Sequence, residues 1–155
     1  LIRRRLGAFT LTWGGGRGPR AILACPPGEL HDVALICFGL LLRRSGWRIS
    51  YLGQDTPIDA IAQAAAVGRV DAVVLAATRT GVLDPVRAAL AQLGERHPLV
   101  LAGPAVTDAL ATEVHAVRLP FDPATAAQQL TALRRRGPIG PGRVAPPDPS
   151  TSAGC

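Results

Sequence analysis

Ala21-Ile22-Leu23-Ala24-Cys25, then Pro26-Pro27-Gly28-Glu29-Leu30-His31-Asp32, then an apolar run over 33–42 closed by Arg43-Arg44-Ser45-Gly46: this stretch decides the fold. The short apolar run predicts a strand, and Pro-Pro-Gly stops it and turns the chain. Residues 33–42 are apolar nearly all round, which predicts a buried helix. Its last turn carries arginines that complement the helix dipole, and Gly46 follows where a left-handed residue ends a helix. A strand turning directly into a helix begins a β/α unit, and the rest of the chain repeats it. Residues 48–52 predict a second strand. Thr56-Pro57 then opens a helix, with the Thr56 hydroxyl as N-cap and proline in the first turn. The same punctuation recurs at Asp84-Pro85 and Asp122-Pro123. Further strands are expected over 70–75, 99–102 and 117–119, with helices over 58–67, 86–93, 108–113 and 124–136. Five strands alternating with five helices predict a flavodoxin-like or Rossmann-like α/β fold: a five-stranded parallel sheet with helices on both faces. Runs such as Val73-Val74-Leu75 suit strands buried on both sides.

The chain of 155 residues suits one domain, and 48% hydrophobic against 18% charged residues excludes a wholly disordered chain. No apolar run approaches the roughly 18 residues of a membrane span, and no secretory signal pattern is present, so a cytoplasmic protein is expected. Three cysteines without metal-ligand spacing read as reduced thiols, Cys25 and Cys37 among them as core residues. Methionine is absent even at position 1, which points to a piece of a longer protein. Residues 1–13 read as the end of an upstream helix and 14–19 as a glycine-rich linker. Residues 20–136 form the α/β domain, and the Pro/Gly/Ser-rich segment 137–155 is expected to be disordered. The net charge is +6, and every basic residue is arginine. Apart from the runs Arg3-Arg4-Arg5 and Arg134-Arg135-Arg136, basic and acidic residues balance. With aromatics at 4%, those runs read as solvated helix ends rather than a DNA-reading surface.

In an open parallel sheet, ligands bind beyond the carboxyl ends of the strands where strand order reverses. For the order 2-1-3-4-5 that point lies between strands 1 and 3, whose following loops hold Glu29, His31 and Asp32, and Ala76-Ala77-Thr78-Arg79-Thr80. A phosphate-binding turn is excluded, since this one carries Pro-Pro and carboxylates rather than glycines. A phospho-acceptor receiver is excluded too: the strand ends lack the acidic residues, and there is no lysine. Glu29 and His31 admit two readings. They cap the following helix, or His31 is a metal ligand whose second ring nitrogen is held by Glu29. One protein ligand holds a bare ion poorly, so the metal would arrive inside a larger cofactor. His97 and His115 read as surface histidines, Trp47 as packing on a helix, and Trp13 as a residue that could shield a ligand face if the upstream helices were present.

Pro27-Gly28-Glu29-Leu30-His31-Asp32-Val33-Ala34, followed by Trp47-Arg48-Ile49-Ser50-Tyr51-Leu52-Gly53-Gln54-Asp55-Thr56-Pro57, resembles the cobalamin-binding domain of MerR-type, light-responsive transcriptional regulators of the CarH and LitR group. The resemblance covers residues 20–135, and the opening Leu1 to Leu6 resembles the end of the helical cap preceding that domain. It implies a Rossmann-like domain taking cobalamin base-off, with His31 as the lower cobalt ligand and Glu29 in the place of the family aspartate. It also implies a nucleotide tail between the loops after strands 1 and 3, with Gly53 near it. Adenosylcobalamin is the implied effector: light cleaves its cobalt–carbon bond, and a change of oligomeric state releases DNA. The general fingerprint is D-x-H-x-x-G, S-x-L or S-x-V, then G-G. Here Ala34 stands for its first glycine, Ala76 for serine, Thr78 for Leu or Val, and Ala102-Gly103 for Gly-Gly. Thr78 or Thr80 could supply the missing hydroxyl.

Three functions follow from this reading. The first is a cobalamin-binding sensory domain of a regulator, without catalysis of its own. In it, homo-oligomerisation belongs to the longer protein and DNA contact to an upstream domain. The second is the cobalamin-carrying component of a methyltransferase or mutase. The third is a degenerate domain serving oligomerisation.

Overall fold

The computed structural model describes residues 13–140. The expected upstream helix end over residues 1–12, with Arg3-Arg4-Arg5, and the expected disordered tail over 141–155 lie outside the described residues. The elements run in the anticipated order: β1 (Arg20–Ala24), α1 (Val33–Arg44), β2 (Arg48–Gly53), α2 (Ile58–Ala66), β3 (Ala72–Ala76), α3 (Arg87–Arg96), β4 (Leu99–Ala102), α4 (Asp108–Glu113), β5 (Val117–Leu119) and α5 (Pro123–Arg135). A short 3-10 turn, Asp84–Val86, leads into α3. The sheet is parallel throughout, with the order β2-β1-β3-β4-β5.

Alternation along the strands builds two cores. Ala21 and Leu23 of β1, Val74 of β3 and Val100 of β4 face α1 and α5. Ile22, Ala24, Val73, Leu75, Leu99 and Leu101 face α2, α3 and α4. Each fully buried Leu, Ile or Val contributes about 1.5–3 kcal/mol. Strands with apolar residues at every position are therefore stable only between two helical layers.

Several local expectations need correction. Thr56 does not cap α2: its hydroxyl donates to the carbonyls of Gly53 and Gln54, closing the turn after β2, and Pro57 takes the N-cap position. Asp122 does cap, accepting from the Thr125 N–H at 2.8 Å and the Thr125 hydroxyl at 2.7 Å. Cys37 is exposed on α1, whereas Cys25 is buried. Trp13 shields no ligand face: it is 3% exposed in the α1-side core, edge-on to Tyr51, and its carbonyl accepts from the Ile49 N–H at 2.8 Å. Gly39 of α1 makes room for it, because a Cβ there would lie 2.7 Å from the indole. Ile139 is also buried in this core, so packing extends beyond Arg136. Trp47 packs as expected, its indole N–H donating to Thr131 Oγ1 at 3.1 Å. No helix among the described residues is long and apolar enough to cross a membrane.

Candidate functional site

The turn after β1 is held by the turn after β2. Gly28, at φ +83°, donates its N–H to Asp55 Oδ1 at 2.8 Å, and the Asp55 N–H donates to the Glu29 carbonyl at 3.0 Å. Tyr51 donates its hydroxyl to Asp32 Oδ2, and the Gln54 amide donates to the Leu30 carbonyl, both at 2.5 Å. The two motifs that stand far apart in sequence are thus one unit, the second bracing the first. Gly53, expected beside a ligand tail, belongs to this bracing: its carbonyl accepts from the Cys25 N–H, and it does not line the groove described below. Asp32 is likewise a brace, buried under Tyr51 and Gln54 and making no side-chain cap to α1.

Glu29 is fully buried, and every contact on its carboxylate is a donor. Oε2 accepts from the Thr78 N–H at 2.7 Å, the Thr78 hydroxyl at 2.8 Å and the Arg79 N–H at 3.2 Å. Oε1 accepts from the His31 N–H at 3.0 Å and meets His31 Nδ1 at 2.8 Å. Burial alone would raise its pKa. The hydrogen bonds from Thr78 and His31 outweigh burial and hold it down to about 2. This overturns the helix-capping reading of Glu29, whose oxygens are committed to the β3 loop and to His31. An ionised carboxylate only accepts, so Nδ1 carries the hydrogen and, in the neutral ring, the lone pair lies on Nε2. The ring itself is 69% exposed. Among the described residues no cluster of three or more His, Cys, Asp or Glu could hold a metal ion. One oriented imidazole therefore suits a metal that arrives with its other ligands already in place.

From His31 a narrow apolar groove, with about 30 Å³ open to water, runs between α1 and α5 beyond the ends of β3, β4 and β5. Ala34, Leu35 and Phe38 form its α1 wall; Ala76, Thr78, Ala102 and Gly103 form its floor; Pro120, Phe121 and Ala126 close the α5 side. It lies farther across the sheet than the crevice between the loops after β1 and β3 that the sequence suggests. All three alanines that depart from the fingerprint, Ala34, Ala76 and Ala102, line it. Gly103 has a different reason to be glycine. At φ +111° its Cβ would lie 2.2 Å from the Ala77 carbonyl oxygen, so backbone packing demands it. Thr78 spends its hydroxyl on Glu29, and Thr80 is exposed and does not line the groove. Tyr51, Gln54, Phe38 and Phe121 went unassigned in the sequence reading. An exposed aromatic at the end of the last strand, Phe121 at 59%, was the available signal for the far wall.

A family model described as the B12 binding domain matches residues 19–128. The chain belongs to the B12 binding domain family. Within curated proteins, this B12-binding domain is 42% identical over 80 residues to the HTH-type transcriptional repressor CarA of Myxococcus xanthus, and 34% identical over 71 residues to the HTH-type transcriptional repressor CarH of the same organism. These matches take in 51% and 46% of the chain but only 28% and 24% of the two repressors. The named curated relatives are repressors and not enzymes, which agrees with a binding module. Among solved structures, the fold matches the monomethylamine corrinoid protein of Methanosarcina barkeri (TM-score 0.68, 20% identity, 85% of this chain and 66% of that one). It also matches a cobalamin-binding protein of Desulfitobacterium hafniense (TM-score 0.64, 22% identity, 77% and 59%). At such identities these two likenesses bear on the fold alone.

Proposed function

We propose that this domain binds cobalamin base-off, with His31 Nε2 as the lower cobalt ligand, as the sensory module of a transcriptional regulator. The observation that carries the reading is the buried Glu29 carboxylate. Its Oε2 is satisfied by the β3 loop, so Oε1 is left to fix the tautomer and direction of a single exposed imidazole at the head of an apolar groove. Orienting the ring through its second nitrogen strengthens it as a ligand. The groove between α1 and α5 would take the displaced nucleotide tail, with Ala34, Ala76 and Ala102 lining it and Thr78 holding Glu29. Adenosylcobalamin, which supplies a light-sensitive cobalt–carbon bond, is the proposed form. The similarity to two repressors supports the regulator setting, in which a further domain of the longer protein reads DNA and a change of homo-oligomeric state carries the signal.

The test is an absorption titration with adenosylcobalamin in the dark, beside His31→Ala. A base-off, His-on change in the parent, lost in the variant, is expected. No spectral change up to about millimolar cobalamin, where binding is worth only about 4 kcal/mol, would overturn the reading and favour a domain whose alanine substitutions have ended binding.

A further inference from the structure

Parallel β/α alternation sends every helix C-terminus to the end of the sheet opposite the groove, and arginines gather there. Arg43 and Arg44 end α1, Arg135 ends α5 with Arg136 as its C-cap, Arg48 opens β2, and Arg17 precedes β1. The Trp47–Thr131 hydrogen bond pins the end of α1 to the end of α5. A Gly16 Cβ would lie 3.6 Å from the Arg43 guanidinium and 3.8 Å from Arg48 Cγ, which brings the Arg17 segment into the same cluster. Asp71, the acidic side chain at this end of the α1–α5 layer, is nearly buried and already accepts from Arg134 Nε at 2.8 Å and the Arg20 N–H at 2.9 Å. Asp55, Asp84, Asp108 and Asp122 lie at the groove end, in the turns that follow strands or open helices, while Glu95 and Glu113 close α3 and α4 on the other layer, beside His115 and Arg87. A helix C-terminus presents about half a negative charge, so two or three arginines at one end exceed what the dipole requires. Arg43-Arg44 at the end of α1 and Arg135-Arg136 at the end of α5, far apart in sequence, lie on one basic surface among the described residues.

We propose that this end of the domain contacts the phosphate backbone of duplex DNA by charge and without reading sequence. Arginine forks match phosphate oxygens. The surface also lacks what other polyanions call for. Both tryptophans of the chain are buried, and among the described residues no exposed aromatic at this end offers the stacking platform that single strands use. Among the described residues, the exposed large apolar side chains Leu30, Val33, Leu52 and Phe121 lie at the groove end, and only Val67, after α2 on the other layer, lies at the basic end, too little apolar surface to enter a lipid interface. The choice of duplex DNA over duplex RNA rests on the regulator reading above; the charge argument does not.

The experiment is fluorescence anisotropy of a labelled duplex of arbitrary sequence with the full 155-residue chain, across a salt series. Binding is expected at about 50 mM salt, with a log–log salt slope of about −3 to −5, close to −0.9 for each phosphate neutralised. The combined variant Arg43→Gln, Arg44→Gln, Arg135→Gln, Arg136→Gln should lose at least roughly tenfold in affinity, with a slope shallower by about two to four. Arg87→Gln with Arg118→Gln, away from the α1–α5 layer and already paired with Asp84, Glu113 and Asp108, should leave binding unchanged. Should the fourfold variant melt at a lower temperature than the parent, Arg44→Gln and Arg136→Gln, both at exposed positions, carry the same test singly. No binding by the parent, equal binding by the variant, or tighter binding to single-stranded RNA or phosphatidylserine vesicles would each overturn the proposal. The cobalamin titration of the fourfold variant should match the parent, so the two readings stand or fall separately.

Discussion

Glu29, fully buried, and Asp71, nearly so, are carboxylates at opposite ends of the same sheet, and they are satisfied in different ways. Asp71 is answered by a guanidinium and a backbone N–H, Arg134 and Arg20, which fasten α5 to the starts of β1 and β3. Glu29 is answered only by backbone N–H groups, a hydroxyl and an imidazole. A carboxylate paired with a cation locks two elements together and leaves nothing to aim. One saturated by fixed neutral donors on one oxygen keeps its second oxygen to orient a neighbour. The difference separates a fastening from a site, although both residues are acids with several donors and little exposure.

The largest expected effect is on acid stability. Because the pKa of Glu29 in the fold lies at about 2, below its ordinary 4.5, the ionised group favours the folded state above about pH 5. That contribution, about 3 kcal/mol, fades as pH falls through 4 toward 2. Urea unfolding across that range should show the decline in the cobalamin-free parent and a much flatter profile in Glu29→Gln. If the two profiles coincide, Glu29 is not the hub described. At neutral pH, Glu29→Gln should cost about 2–3 kcal/mol, since an amide must present a donor to one of its own donors. The same variant should weaken cobalamin binding roughly 10–100-fold. Asp71→Asn breaks the comparison from the other side: a loss of about 1–2 kcal/mol by urea unfolding is expected, with cobalamin affinity unchanged. A matching loss of affinity would show that both ends serve the site. The smallest change is Thr78→Val, which keeps the backbone N–H on Glu29 and removes the hydroxyl. Calorimetry should show about 1 kcal/mol less stability, with cobalamin affinity falling only a few-fold.

Most of the fold was legible because the central strands β1, β3 and β4 are apolar runs, and Pro, Gly or Asp-Pro mark several of the turns between strands and helices. The errors sit where a side chain had a competing partner. Thr56 bonds back to the β2 turn instead of capping α2, and Trp13, in a segment read as the approach to a linker, fills the space above Gly39. At the site, Glu29 and His31 could be paired from their spacing. That Thr78 supplies two of the donors on Glu29 could not, since it sits 49 residues away. The bracing by Tyr51, Gln54 and Asp55 was hidden for the same reason.

Local pattern was enough for the fold class and the succession of strands and helices, because periodicity and turn chemistry act over a few residues; the strand order came with the fold class and is an observation of the folded domain. Which acid orients and which merely fastens, where the groove runs, and that arginines from residues 17, 43, 44, 48, 135 and 136 form one surface were settled only in three dimensions. Those properties depend on which donors and charges meet across the sheet, and a parallel β/α chain brings together residues a hundred positions apart by stacking its helices in register.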